Sequence, residues 1–419
     1  MAEEEKSGKS EISLLPDNAS TEDIKYKPKI SLFRALIEKH YAGRLRLNEM
    51  TGKPEYKDAD TGEWREWTDA HDSQMRAYFQ QSYGLYSPKM LDDALQIHFM
   101  SNTVNPVLNM LEALEWDGKP RVERMLIDVM KCDDTPYIRE CSRLIFAGGI
   151  NRIYDPGCKF DDMVVLIGDQ GCGKSTLAHW LAMDEKYFRE IKTITGKEGI
   201  EALRGCWIGE VAELMAMTRV KETEAVKAYI TTQADSYRPP YARHVVTVPR
   251  RCVFIGTTNN HQFLTDRTGN RRFYPVPCDH SDGKRLQDAE AEVRPYLAQC
   301  WAEAVQMYKA GNLKPYANYD IIDQIKAAQA NAMEDDYRIG MIEQYLEDTK
   351  KKPNSTVSVI ELWHQALNQP SEVKPTRKDS IEITQIMEGM GGWYRRDGLM
   401  RTAWGPQRVF IKRDIMFPL

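Results

Sequence analysis

The spacing of apolar residues changes along the chain and divides it into regions. Leu32, Phe33, Leu36, Ile37 and His40 recur at helical intervals, which predicts a helix there. Residues 48–54, with Gly52 and Pro54, read as strand and turn. Helical spacing then dominates over 69–153, interrupted at Asn105-Pro106, Trp116-Asp117-Gly118 and Lys119-Pro120. After Asp155-Pro156-Gly157 the pattern switches. The runs 163–167, 206–208 and 252–255 are apolar on successive residues, as strands covered on both faces should be. They alternate with helical stretches, the signature of an α/β domain with a mainly parallel sheet.

Helical spacing returns over 284–312 and 320–346. A breaker-rich stretch at 348–355 reads as a linker. Predicted helices at 357–367 and 379–390, the Gly391-Gly392 break and a strand pair near 393–396 and 408–412 then suggest a small winged helix. The expected organisation is a disordered acidic tail (1–27), a mostly helical N-terminal module (28–154), an α/β domain (155–346) and a winged-helix-like C-terminal module (347–419).

Composition narrows this picture little. Over 419 residues, 42% apolar and 28% charged residues are ordinary for a globular protein and exclude a fibrous or wholly disordered chain. No apolar run approaches the ~18 residues of a membrane span, and the acidic first residues carry no secretory signal. The eight cysteines form no C-x-x-C pair, so reduced thiols are expected rather than a zinc site or disulfide frame. With a net charge of −5, nucleic-acid contact would have to come from local basic patches. One such patch is the C-terminal module, where 351–419 hold 11 Lys or Arg against 7 Asp or Glu. Arg377, Lys378, Arg395 and Arg396 are its candidate duplex contacts, with protein docking as the other use of such a module.

The sharpest chemical signal is Gly168-Asp169-Gln170-Gly171-Cys172-Gly173-Lys174-Ser175-Thr176, a full G-x-x-x-x-G-K-[ST] loop between a predicted strand and a predicted helix. Its glycines let backbone N–H groups turn inward onto phosphate oxygens. Lys174 brings positive charge to the outer phosphates of ATP, and the Ser175 hydroxyl suits Mg²⁺. The second strand leads to Glu210 and Glu213. One acid is expected beside the metal and one beside the attacking water; Glu210 is the metal-side candidate, although the roles could be exchanged. The third strand leads to Asn259, an amide able to sense the terminal phosphate or position the water.

Arg271 and Arg272 precede a further strand. From a subunit edge, either could reach a neighbour's nucleotide as an arginine finger. These features fit a small ATPase core of a ring-shaped motor better than a nucleotide kinase, for which no acceptor or lid motif is present. Between the second and third strands, Arg238, Tyr241, Arg243 and His244 lie on a predicted hairpin suited to gripping phosphates and stacking on single-strand bases.

Together, the GDQGCGKST loop, the Trp207–Leu214 run, Tyr237–Tyr241, Thr265–Phe273, Trp116–Pro120 and Trp301–Ala304 resemble the virulence-associated protein E family. The resemblance spans roughly residues 95–312. It implies an AAA+ P-loop ATPase related to superfamily-three helicases, acting with ATP and Mg²⁺ as a homo-hexamer on single-stranded or forked DNA. It further implies replication of a phage, prophage or satellite element in the bacterial cytoplasm, with a primase or other replication proteins as partners. Lys174 and Ser175 then serve phosphate and Mg²⁺, Glu210 and Glu213 form the acidic pair, Asn259 is the sensor, and Arg271 or Arg272 is the finger. The N-terminal region shows no primase acids or zinc knuckle. The alternative reading is an ATP-binding DNA regulator or origin-binding protein that does not unwind.

Overall fold

In a computed structural model, the described residues are 27–194, 196–212, 220–238, 244–264, 270–278, 285–333, 336–350 and 354–412. The expected 1–27 tail therefore lies almost wholly outside them. The chain forms two compact units: residues up to His261 with Arg271–Ala330, and Gln262–Asn270 with Asn331–Leu419.

The first unit opens with α1 (Ile30–Tyr41), followed by β1 (Leu45–Asn48), β2 (Lys53–Lys57) and β3 (Trp64–Glu66). Then come α2 (Asp69–Tyr83), α3 (Pro88–Ser101) and β4 (Thr103–Val104). The strands form a sheet in the order β3-β2-β1-β4 against a core containing Phe33, Ile37, Phe79 and Leu95. The N-terminal module thus sets its helices beside a small four-stranded sheet, of which the sequence reading held only the strand and turn at 48–54. Strands of two to five residues carry too few alternating positions to stand out.

The chain continues through α4 (Pro106–Glu112), α5 (Met125–Met130) and α6 (Pro136–Tyr154). Thr135 caps α6 by accepting from Ile138 N–H, and Pro136 occupies its first turn, where no N–H donor is needed. The helix is buried almost throughout. At Gly148 and Gly149 a Cβ would lie 2.4 Å from Phe160 and 2.5 Å from Trp301, so glycine permits the close approach. The Gly149 carbonyl accepts a hydrogen bond from Trp207 Nε1 at 3.0 Å.

The central sheet contains β5 (Met163–Ile167), β6 (Phe188–Glu190) and β7 (Ile208–Val211). The helices α7 (Lys174–Leu181) and α8 (Gly196–Glu201) lie between them in sequence. After α9 (Val220–Thr231), β8 (Ala234–Tyr237) pairs antiparallel with β9 (Val246–Pro249) as a separate ribbon. The strands β10 (Val253–Thr258) and β11 (Phe273–Pro277) complete the sheet in the order β11-β5-β10-β7-β6. Every pairing in it is parallel. α10 (Glu290–Lys309) and α11 (Ile322–Asn331) follow. The result is a parallel-sheet α/β core of the NTPase type.

Two strand boundaries differ from the sequence reading. The second strand runs from Ile208 to Val211 rather than over 206–208, and the third reaches Thr258 rather than 255. Both extensions are polar or small at their ends, so apolar runs stop short of them. They place Glu210 within a strand and Asn259 immediately after one.

In the second unit, α12 (Tyr337–Thr349) precedes β12 (Thr356–Ser358) and α13 (Val359–Glu361), which runs into a π turn, Leu362–Ala366. The expected helix at 357–367 thus begins as a strand, because Ser358 caps the helical turn by accepting from Glu361 N–H. Then come α14 (Arg377–Gly389), β13 (Trp393–Arg395), β14 (Met400–Thr402), β15 (Gly405–Gln407) and β16 (Val409–Lys412). β16 pairs with both β12 and β13, while β14 and β15 form a hairpin. Ile342, Leu362, Ile383, Met387 and Phe410 form the core of this unit. The unit begins at Asn331, inside the stretch assigned by sequence to the α/β domain, because the 320–346 stretch is two helices with a break between them.

Candidate nucleotide site

Three parallel strands, β5, β7 and β10, deliver the site residues at their carboxyl ends, where open α/β sheets bind ligands. β5 is buried at every position and leads straight into the Gly168–Thr176 loop. Gly171 and Gly173 have φ of 89° and 91°, so the loop turns through conformations that favour glycine. A Cβ on Gly173 would lie 2.6 Å from Leu286 Cβ, so that side chain packs directly on the loop. α7 starts at Lys174 and points its N-terminus at the loop.

Lys174 is buried. Its ammonium donates to Gly168 O at 2.7 Å, Asp169 O at 2.9 Å and Asn259 Oδ1 at 2.9 Å. Ser175 Oγ donates to Glu210 Oε1 at 2.5 Å, and Thr257 Oγ1 donates to the same oxygen at 2.7 Å. Glu210 is 3% exposed. The fold therefore brings Lys174, Ser175, Glu210 and Asn259 into one hydrogen-bonded group. Glu213 lies outside the described residues.

Two contributors carried no sequence signal. Thr257 holds the Glu210 carboxylate from 47 positions away. Gln287 Nε2 donates to Thr176 Oγ1 at 2.8 Å across 111 positions. Neither pairing belongs to a local motif, and only the fold makes them neighbours. The cysteines are free thiols, as expected. A hydrogen bond with Cys132, together with burial, holds the Cys278 thiol well above the usual range.

Arg271 and Arg272 are not at this cluster. They directly precede Phe273, which pairs with Met163 at the start of β5, whereas Pro277 pairs with Ile167 beside the loop. Five residues of strand, roughly 16 Å, separate the two ends. Arg271 is exposed. Arg272 Nε lies 3.9 Å from Asp161 Oδ2 and is buried without a hydrogen-bond acceptor among the described residues. Beside it, burial and then the Asp161 charge push the Asp162 carboxyl up to about 7, although a hydrogen bond with Tyr274 opposes the shift.

The β8–β9 ribbon is rooted firmly. Arg250, side chain 4% exposed, makes two bonds to Asp235 at 2.6 and 2.8 Å and also donates to Tyr229 O. Arg204 lies over the Tyr237 ring at 4.7 Å. Arg238 and His244 are exposed at the ends of the ribbon, while Tyr241 and Arg243 lie outside the described residues. A cavity of about 250 Å³ opens at this root, lined by Met50, Arg204, Tyr237 and Arg251 among others. It borders the start of β10, the end of the strand opposite Asn259, so it is separate from the phosphate loop.

The virulence-associated protein E-like domain matches residues 111–338, more than half of the chain and the whole central sheet. The chain belongs to this family. In this family member, the match takes in the phosphate loop, Glu210, Asn259 and both arginines. The apo structure of the NrS-1 C-terminal region superposes with a TM-score of 0.53 at 12% identity, covering 92% of this chain and 100% of that one. An A-form apo structure of the same region gives a TM-score of 0.51 at 11% identity with the same coverage. At such identity the likeness concerns the fold alone. No curated protein matches the chain. Among the described residues, no helix is long and apolar enough to cross a membrane.

Proposed function

We propose that this chain is an ATP-driven DNA helicase or translocase of the AAA+, superfamily-three-like type, acting in replication of a phage, prophage or satellite element. The observation that carries this reading is the convergence of Lys174, Ser175, Glu210 and Asn259 at the mouth of the phosphate loop. A triphosphate accepted by the loop's N–H groups would take Lys174 as its cationic partner in place of the Gly168 and Asp169 carbonyls. Asn259, already bonded to Lys174, would then face the terminal phosphate.

The Ser175 hydroxyl and the Glu210 carboxylate form an all-oxygen donor pair 2.5 Å apart, which fits Mg²⁺, an ion that takes few protein ligands and completes its shell with phosphate and water. Bound there, Mg²⁺ would neutralise charge on the phosphates. Glu213 remains the proposed second acid, the one facing the attacking water.

The position of Arg271 and Arg272, on the opposite end of the sheet from their own loop, favours action on a neighbouring subunit and hence a homo-hexameric ring. The β8–β9 hairpin, with Arg238, Tyr241, Arg243 and His244, is the proposed contact with single-stranded or forked DNA. The second unit is read as winged-helix-like, and a primase or other replication protein as a partner. The test is phosphate release and strand separation on forked DNA, with Lys174→Ala as the control that removes both. Hydrolysis by that variant at the wild-type rate overturns the site. Hydrolysis by the wild type without strand separation leaves an ATP-dependent regulator instead.

A further inference from the structure

The β14–β15 hairpin of the second unit presents to solvent a face that carries two arginines beside Leu399 and Pro406. Met400 pairs with Gln407, Arg401 with Pro406 and Thr402 with Gly405. Opposite residues of an antiparallel pair share a face, and so do residues two apart on one strand. Arg401 and Pro406 therefore share a face, and Leu399 and Arg408, each two residues further along, continue it. All four are exposed, whereas Met400, Thr402 and Gln407 on the other face are half-buried. Two like charges one diagonal step apart repel each other. Among the described residues, neither Arg401 nor Arg408 has an acidic partner within ion-pair distance. Arg396 is turned to the other face: its backbone N–H bonds Val409 O at 2.9 Å and its guanidinium reaches Met400 Sδ at 3.4 Å.

Positive charge is dense in this part of the unit. Residues 393–412 carry five basic side chains (Arg395, Arg396, Arg401, Arg408, Lys412) against Asp397 alone. α14, the longer of the two helical elements after the linker and the natural choice for a groove-reading helix, carries Arg377 and Lys378 against Asp379, Glu382 and Glu388. Lys378 is further drawn to Glu382 at 3.6 Å. Glu382 and Glu388 are themselves paired, with Arg338 at 2.7 Å and Arg395 at 3.5 Å, so α14 presents no strong field of either sign, whereas an arginine face without acidic partners attracts a phosphate backbone.

The hairpin also lacks the feature single strands require. Trp404, at its turn, is stacked on His364 with ring centroids 4.7 Å apart and planes at 22°, so one face of its ring is already covered. Base stacking on exposed aromatic rings is what holds unpaired strands. Exposed arginines hold a duplex through its phosphates, with no ring needed.

We propose that the β14–β15 hairpin, through Arg401 and Arg408, binds the phosphate backbone of duplex DNA without reading its sequence, and that α14 does not contact it. This inference concerns duplex DNA and does not depend on ATP turnover.

The test is equilibrium binding of the full chain to a blunt, mixed-sequence duplex without nucleotide, followed by anisotropy across a salt series. Arg401→Ala with Arg408→Ala should weaken binding and flatten the plot of log affinity against log salt by about 2, one for each arginine–phosphate pair removed. Arg401→Lys with Arg408→Lys should keep most of the slope, and Arg377→Ala with Lys378→Ala should leave it unchanged. Basal hydrolysis in every variant should match the wild type, which separates this outcome from failure of the ATPase reading. An unchanged slope in the Arg401/Arg408 alanine variant overturns the proposal and leaves the face to a protein partner. Loss through Arg377 and Lys378 instead, or loss of single-strand but not duplex binding, overturns it as well.

Discussion

Ser175 and Glu210, 35 positions apart in sequence, meet through a 2.5 Å hydrogen bond at the carboxyl ends of neighbouring parts of the sheet. The hydroxyl belongs to the phosphate loop and the carboxylate to β7, so the bond joins the element that would hold the phosphates to the one that would hold the metal. Glu210→Gln keeps the shape and removes the charge. Hydrolysis should fall by on the order of 10²–10³ while nucleotide affinity without metal stays near the wild-type value. Steady-state phosphate release set beside binding of a fluorescent nucleotide makes the comparison. A similar loss in metal-free binding would mean that Glu210 only supports the loop.

Thr257 acts on the same carboxylate oxygen from β10, which lies between β5 and β7. Its role is positioning, since it touches Glu210 and not the phosphate loop. Thr257→Val preserves volume but leaves a buried carboxylate oxygen with one hydroxyl donor fewer. The missing bond to a charged group is worth about 1.5–3 kcal/mol, or roughly a 10-fold to 150-fold fall in turnover if Glu210 loses its orientation. Thr257→Ser should restore most of the rate. Equal loss in both variants, with unchanged melting, would remove the hydroxyl from the argument.

Much of this arrangement is legible before any fold is known. The phosphate loop is local: glycines, lysine and hydroxyl fall within nine consecutive residues, and the flanking apolar run and helical spacing fix their context. Glu210 and Asn259 stand beside apolar runs and can be named for the same reason. The joining contacts cannot. Thr257 to Glu210 and Lys174 to Asn259 depend on β10 lying beside both β5 and β7, and Gln287 to Thr176 depends on the chain after β11 returning over α7, arrangements that sequence spacing does not encode. Of the N-terminal sheet only the strand and turn at 48–54 shows in the sequence, because β3 and β4 have three and two residues, too few for a period to show. The cis distance between the arginines and their own loop follows only from the register of β11 against β5.

Asp162 gives the core a pH dependence. Its carboxyl ionises near the usual 3.8 in the unfolded chain but at about 7 in the folded one, chiefly through burial and then through Asp161. Between those values the folded state keeps a proton that the unfolded chain releases. Stability contributed at this position is therefore greatest in acid and declines as pH rises toward 7. Asp162→Asn removes the titration. Its melting temperature should exceed that of the wild type above neutrality, with the advantage shrinking toward about pH 4. A constant offset across that range would show that Asp162 ionises normally in the fold.

Arg272 Nε, buried and without an acceptor among the described residues, sits 3.9 Å from Asp161, a separation too long for a hydrogen bond. That ion pair anchors one edge of the guanidinium, and the rest of the side chain, 21% exposed, would be what meets a phosphate oxygen from a neighbouring subunit. Arg271 is exposed and has no such anchor among the described residues. Arg272→Ala should therefore lower DNA-stimulated hydrolysis by on the order of 10³ or more, and Arg271→Ala by much less. Because the group would act across a subunit boundary, mixing Arg272→Ala with Lys174→Ala protein should regain part of the activity. Each mixed ring then contains interfaces in which an intact loop faces an intact arginine. Mixtures as inactive as their components would place the arginine outside catalysis in trans, and a larger loss for Arg271→Ala would assign the finger to that residue instead.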